Sequence, residues 1–323
     1  PTPAQLDNWW DRFDGAVGQF RGRVALLLGG DAFARFTGLG GGVVAWGGYL
    51  LPSSDRVLLQ RTRQVTTAYK TNTKLHKKGD ERHTKVKEAV PPPPFTGICI
   101  PALHPAGVLR TGLASAPILN AQVQKAGRAV RDELRTPRSH YTVSPTIWGS
   151  HATELAVDIE TGGISNSVTR LGMACADDAF SVPWSEAART VAASNMSEPN
   201  RDYLFHNAGF DIPRLAASGA HCKGRIRDTM LAAALLQPDL PKGLNACGAL
   251  YLDCPRWKHL DEEDPARYNA LDAIRTHELW QVEKELLDST GQRSLFDDTI
   301  MSALPTLIRM GTRGIAISEP RRE

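Results

Sequence analysis

Residues 155–163 read LAVDIETGG: two carboxylates, Asp158 and Glu160, set inside an apolar, β-branched run that ends in glycine. Such a run has the composition of a strand closing on a turn. Side chains alternate along a strand, so positions two apart share a face, and Asp158 and Glu160 point the same way. Two ionised carboxylates side by side repel, and each resists leaving water. Either both stand in solvent on an exposed edge strand, or the fold supplies something that offsets the repulsion. A shared proton would do so, as would a divalent cation, for which oxygen ligands are natural partners.

Composition narrows the setting. The 323 residues are enough for about two domains, and a hydrophobic fraction of 41% is ordinary for a soluble globular chain. No stretch is apolar for long enough to span a membrane, and the opening PTPAQLDNWWDRFDG lacks the basic and apolar regions of a secretory signal. The five cysteines, Cys99, Cys175, Cys222, Cys247 and Cys254, are odd in number and form no CxxC pair, which points to reduced intracellular thiols. The net charge of +3 hides an asymmetry: residues 1–150 hold 20 Lys and Arg against 10 Asp and Glu, and residues 151–323 hold 18 against 25. A basic half joined to an acidic half suggests a polyanion-binding module beside a carboxylate-rich site, the alternative being two domains with unremarkable surface charge.

Local patterns place the elements. VALLLG (24–29) reads as a buried strand, and DAFARFTG as a short helix after it; GLGGGVVAWGG (38–48) reads as loop and turn. Residues 61–88 carry nine Lys or Arg with poor apolar periodicity, a mobile basic segment ended by the polyproline run at 91–94. Residues 118–134 have helical spacing. Pro, Ser and Gly without periodicity at 135–150 mark a domain boundary. Beyond it, strand and helix signals alternate, which predicts an α/β or α+β fold with a central mixed sheet. A long helix begins near Asp264, as N-cap, and Pro265.

Two more segments offer acids to the same centre. FHNAGFD (205–211) puts Asp211 in the first turn of a helix that follows a strand, with Asn207 four residues before it. YNALD (268–272) sets Tyr268 and Asp272 four apart, on one helical face that Thr276 extends. Four carboxylates, Asp158, Glu160, Asp211 and Asp272, suffice for two divalent cations, Mg2+ or Mn2+. Two such ions activate water, stabilise a leaving oxygen and neutralise phosphate charge. Each acid alone also fits a solvated strand, helix cap or helix face; it is their joint occurrence that points to phosphodiester hydrolysis.

DIET, HNAGFD and YNALD together resemble the DEDD 3′–5′ exonuclease superfamily, in the subtype with Tyr in its third motif. Residues 227–252 and the YNALDAIRT stretch look like the proofreading domains of family A DNA polymerases, and residues 299–317 resemble the passage from such a domain into the polymerase. The resemblance covers about residues 150–320. It implies an RNase H-like exonuclease domain at 150–298 and the start of a polymerase domain at 299–323, so that the chain is part of a longer polymerase, phage-encoded or bacterial and cytoplasmic. It implies a DNA partner presenting a single-stranded 3′ end or a primer-template, and the polymerase region of the same polypeptide. It further implies that Asp158 bridges two cations, that Glu160 and Asp272 hold the one nearest the nucleophile, that Asp211 serves the second and that Tyr268 orients the nucleophile. Asn207 and the backbone at Thr161 and Gly162 would hold the terminal nucleotide. Gly163 stands where the family often has an apolar residue against the terminal base, so stacking falls to Phe210. His206 is either a DNA contact or, at least as readily, a histidine packed at a strand end.

VALLLGGDAFARFTG followed by HPAGVLR (104–110) resembles the later part of the uracil-DNA glycosylase superfamily. This implies a small α/β domain at 1–140, with His104 near DNA. The glycine-rich motif that carries the water-activating acid in that superfamily precedes the VALLLG strand and is not in this sequence, nor are the iron–sulfur cysteines of one of its branches. The resemblance therefore implies the fold rather than base excision. Other function classes fit parts of the pattern: a non-catalytic DNA-binding scaffold, against which the intact acids and Tyr268 speak, and an RNA exonuclease of the RNase D type, against which Thr276 and residues 299–317 speak.

The basic segment generates a prediction. Replacing Lys74, Lys77 and Lys78 with Gln should weaken DNA binding whatever the base sequence. It should also flatten the slope of log K against log salt by up to about three phosphate contacts. Binding titrations at several salt concentrations give the slope, and an unaltered slope would assign the segment no phosphate contact.

Overall fold

A computed structural model of the chain describes residues 3–67, 82–111, 113–149, 151–163 and 167–316. Lys74, Lys77 and Lys78 lie outside the described residues. The chain divides into two compact units, Pro1–Leu134 and Arg135–Glu323.

In the first unit, α1 (Pro3–Gln19) leads to β1 (Val24–Leu28), α2 (Gly30–Thr37), α3 (Gly42–Trp46) and β2 (Leu51–Pro52). There follow β3 (Leu59–Thr67), β4 (Arg82–Val90), β5 (Ile98–Ala102), α4 (Pro105–Arg110) and α5 (Ala116–Val130). The central sheet has the order β1-β5-β2, with β1 parallel and β2 antiparallel to β5. Alternation along these strands sends Leu27 and Cys99 into one core with Phe33, Phe36, Leu51 and Phe95, while Ile100 packs with Leu50, Ala126 and Ala129 on the other face.

Two sequence expectations change here. The glycine-rich stretch at 38–48 contains a short helix, α3, entered through Gly41 at φ 80°. The basic stretch is not a loop where it is described: β3 and β4 pair antiparallel from Leu59↔Val90 to Thr67↔Arg82. Hydrophobic periodicity reports which face of an element is buried, not whether two backbones pair, so a polar hairpin is silent to it.

In the second unit, β6 (Glu154–Gly162), β7 (Ser167–Ala174) and β8 (Ala179–Pro183) are followed by α6 (Glu186–Asn195), β9 (Asp202–Phe205), α7 (Ala208–Ala217) and β10 (Arg225–Asp228). The chain then runs helical through α8 (Thr229–Leu236), α9 (Leu244–Tyr251), α10 (Pro265–Ser289), a π-helical stretch at Leu295–Met301, and α11 (Ser302–Arg313). The sheet is mixed, in the order β10-β9-β6-β7-β8, with β9 parallel and β7 antiparallel to β6. This is the α/β architecture with a central mixed sheet that the sequence predicts.

The position of β6 decides the first question. It is the middle strand of five, and Leu155, Ala156, Val157 and Ile159 are all buried. Asp158 and Glu160 are therefore not edge-strand charges. Helix α10 lies across the sheet over β6, β7 and β8, and residues from Asn269 to His277 are buried without a break. Asp264 caps it, accepting from Arg267 N at 3.0 Å, with Pro265 in the first turn, where a missing N–H costs nothing.

Gly172 sets how closely the helix approaches. It pairs with Asp158 across the β6–β7 ladder, and a Cβ there would lie 2.7 Å from both the backbone oxygen and Oδ1 of Asn269. Gly172→Ala should therefore push α10 off the sheet and cost about 1–3 kcal/mol, the usual range for overpacking. Urea denaturation measures the loss; a change below about 0.5 kcal/mol would mean that the helix does not bear on this strand.

Candidate metal centre

Carboxylate oxygens of Asp158, Glu160 and Asp272 all lie within 4.8 Å of one another. Strand β6 supplies the first two from one face, and α10 supplies the third, 4% exposed, from the helix lying over that face. The ladder slips between Glu160 and Thr161, a bulge of the kind that redirects side chains next to functional sites. Asp158 and Asp272 have designated donors. Asn269 Nδ2 donates to Asp158 Oδ2 at 2.7 Å, and Ser181 Oγ donates to Asn269 Oδ1 at 2.8 Å, fixing the amide's orientation. Asp272 accepts from Trp257 Nε1 at Oδ1 (2.5 Å) and from Lys258 Nζ at Oδ2 (2.6 Å). The same ammonium donates to Tyr268 Oη at 2.8 Å.

Burial and mutual repulsion dominate the electrostatics. Burial, then the charges of Asp272, Asp211 and Glu160, hold the Asp158 carboxyl well above the usual range. Burial and the charge of Asp272 push Glu160 up to about 7. Burial also raises Asp272, against the pull of Lys258. Burial alone would lower the Lys258 ammonium, but Asp272 and Tyr268 outweigh it and raise it. Burial and Asp272 push the Tyr268 phenol up to about 12, so it stays neutral at ordinary pH. Oxygen donors that retain protons for want of a positive charge are suited to a hard divalent cation.

Asp211 stands apart from the group of three, though its charge reaches Asp158. It is 5% exposed in the first turn of α7, and burial followed by the charge of Asp228 holds its carboxyl well above the usual range. Asp228 places that turn. Its carboxylate accepts from the backbone N–H groups of Asn207 and Ala208 at the start of α7 and of Met230 and Leu231 at the start of α8. Asn207 is left-handed, at φ 87°, a conformation that asparagine tolerates better than most residues.

The remaining candidates divide. Thr161 and Gly162 end β6 beside the acids, half-buried. Tyr268 lies one helical turn before Asp272, as the spacing predicts. His206, open between a DNA contact and a histidine packed at a strand end, uses both ring nitrogens within its own chain, at 2.8 Å from Thr229 Oγ1 and 2.8 Å from Lys242 O, and burial lowers it to about 4. Phe210, expected to stack on a base, already carries the Arg214 guanidinium 3.5 Å from its ring centroid. His104 is exposed at the N-cap of α4, where its Nδ1 accepts from Ala106 N at 3.1 Å, and it lies against Gly29. Asn269, Asp228, Trp257 and Lys258 are absent from the sequence reading. Asn269 was within reach of it, as the neighbour of Tyr268 in YNALD. Trp257 and Lys258 come from a loop whose spacing carries no signal.

No family model matches the chain. Among curated proteins, DNA polymerase I of Treponema pallidum (strain Nichols) is 32% identical over 127 residues, covering 35% of this chain and 13% of that polymerase. The match thus spans a small part of the relative's length. Among solved structures, Brucella melitensis NrnC superposes with a TM-score of 0.47 at 20% identity, over 56% of this chain and 96% of that one. The POL domain of Pol1 from M. smegmatis, in complex with DNA primer-template and dNTP, gives 0.44 at 21% identity, over 52% and 30%. The catalytic core of RRP6 from Trypanosoma brucei gives 0.39 at 18%, over 46% and 45%.

The raised acids predict a pH dependence. A carboxyl whose folded pKa lies above its unfolded value stabilises the fold while protonated, and that contribution is lost as pH rises through the folded value. For Glu160 the window runs from its ordinary 4.5 up to about 7. In EDTA, wild type should lose stability relative to Glu160→Gln across that window, and saturating Mn2+ should reverse the loss at the upper end. The comparison cancels His206 and His277, whose lowered values act in the opposite sense. Urea midpoints of the two proteins at a series of pH values would show it; a constant difference would mean that Glu160 does not share a buried charge problem with its neighbours.

Proposed function

We propose that the second unit is a divalent-cation-dependent nuclease that hydrolyses the terminal phosphodiester at the 3′ end of DNA. The observation that carries this reading is the convergence of three carboxylates within 4.8 Å, two on the middle strand of a sheet and one on the helix that lies over it. Buried acids that repel one another destabilise the fold, and a cation turns that repulsion into a binding site. Asp158, Glu160 and Asp272 would hold one ion, with Asp211 the ligand left for a second. Bound ions of this kind lower the pKa of water, neutralise phosphate charge and stabilise the leaving oxygen.

The chain's own groups do the rest. Tyr268, a neutral phenol, orients the attacking water through hydrogen bonds rather than removing its proton. Asn269 keeps Asp158 pointed into the site. Thr161 and Gly162, through their backbone, and Asn207, held by Asp228, flank the acids and bind the terminal nucleotide. The DNA substrate, the 3′ polarity and a place within a family A-like polymerase rest on the DIET, HNAGFD and YNALD resemblance, together with the 127-residue similarity to a DNA polymerase I. The first unit, in this reading, is a glycosylase-like module that contacts DNA near His104 without excising bases.

End-labelled single-stranded DNA and RNA oligonucleotides, incubated with Mg2+, Mn2+ or EDTA, test the reading. Wild type should shorten DNA from its 3′ end with a cation and leave it intact in EDTA. Asp158→Ala and Asp272→Ala should abolish cleavage while remaining folded, since each relieves repulsion, although the second also gives up the Trp257 and Lys258 hydrogen bonds. Tyr268→Phe should slow it by one to three powers of ten, about 1–4 kcal/mol of barrier. Near-wild-type cleavage by either aspartate variant would remove the assignment; preferential cleavage of RNA would move it to an RNA exonuclease.

A further inference from the structure

Lys258 lies in the loop between α9 and α10, and its ammonium reaches two groups of the site at once. Nζ stands 2.8 Å from Tyr268 Oη and 2.6 Å from Asp272 Oδ2. Tyr268 and Asp272 are one turn apart on α10, so the ammonium spans their tips. The neighbouring Trp257, 1% exposed, donates its indole N–H to the other oxygen of Asp272. Two consecutive loop residues thus grip the two oxygens of one carboxylate. The anchored indole fixes the loop, and the Lys258 ammonium stands over the Tyr268 ring, 4.5 Å from its centroid. A phenol oxygen that accepts from Lys258 turns its own O–H away from that ammonium.

We propose that Lys258 is a positioning residue of this centre, aligning the Tyr268 hydroxyl with Asp272 so that both address the same reacting water. The proposal rests on the nuclease reading above. It assigns Lys258 no place among the cation's ligands: Trp257 still holds Asp272 when the lysine is gone. A positive charge beside a ligand oxygen opposes cation binding by simple Coulomb repulsion. Removing it therefore separates alignment from binding, because the reaction slows while the cation binds at least as well.

Lys258→Met, which keeps the stem, and Lys258→Gln, which keeps polarity, test this beside Tyr268→Phe and the Lys258→Met/Tyr268→Phe double variant. The readouts are single-turnover cleavage of DNA in Mg2+, DNA affinity in Ca2+, and Mn2+ affinity by electron paramagnetic resonance of the free ion. Both lysine variants should cleave about 10- to 100-fold more slowly, the scale of a small misplacement of reacting groups, with DNA affinity within about threefold. Mn2+ should bind as tightly as to wild type or more so. The double variant should be no slower than the slower single one, because both changes break the same alignment. Wild-type speed in both lysine variants, multiplicative losses in the double variant, or loss of Mn2+ binding would each overturn the role while leaving the nuclease intact. A wild-type protein that cleaves nothing with any cation would overturn both readings together.

Discussion

Three carboxylates share one place, Asp272 buried and Asp158 and Glu160 half-buried, and their mutual repulsion is the constraint on which the second unit turns. Asp158 and Glu160 are committed to the same face by strand geometry, and Asp272 is brought over them by α10. Burial raises each of them toward protonation, Asp272 raises both strand acids further, and Glu160 raises Asp158. Nothing in the packing of a hydrophobic sheet calls for this. The protein offsets it in part with donors that occupy individual oxygens: the Asn269 amide on Asp158, and the Trp257 indole and Lys258 ammonium on Asp272. The single ammonium cannot neutralise three acids, and the balance is what a divalent cation or protons must supply.

Holding like charges together requires a scaffold that does not yield. Asp158 and Glu160 stand on the middle strand of five, paired with β7 at their own positions and with β9 just before them, at Glu154–Ala156. Gly172 lets the helix backbone come down on the sheet opposite Asp158, so the depth of the site is set by the absence of one methyl group. On the other side, the carboxylate of Asp228 gathers four backbone N–H groups from two helix starts and so places the turn that carries Asp211. Asp211 remains outside the group of three, and the geometry therefore builds one complete carboxylate cluster with a fourth acid beside it rather than a symmetric set of four.

Much of this was legible in the residue order. The alternation in LAVDIET, the four-residue spacing in YNALD and the Asp264–Pro265 start of α10 are local signals, and local rules of strand, helix and cap geometry decide them. The alternation of strands and helices after residue 150 announced a mixed α/β sheet. The basic hairpin was not legible, because pairing of two polar strands leaves no hydrophobic period. For His206 the residue order left two readings open: whether an imidazole at a strand end meets a ligand or its own chain depends on Thr229 and Lys242, 23 and 36 residues away.

By itself, then, the sequence determined which acids share a face, which elements carry them and which family the motifs resemble, since each of these depends on neighbours a few positions apart. Only the tertiary structure decided that β6 is central rather than an edge, because strand order is set by distant pairings. Tertiary structure also brought Trp257 and Lys258 to Asp272 across 15 and 14 residues of loop and helix. A strand's place in a sheet and a loop's reach into a site are long-range properties, fixed by where apolar surfaces meet, and no local spacing encodes them.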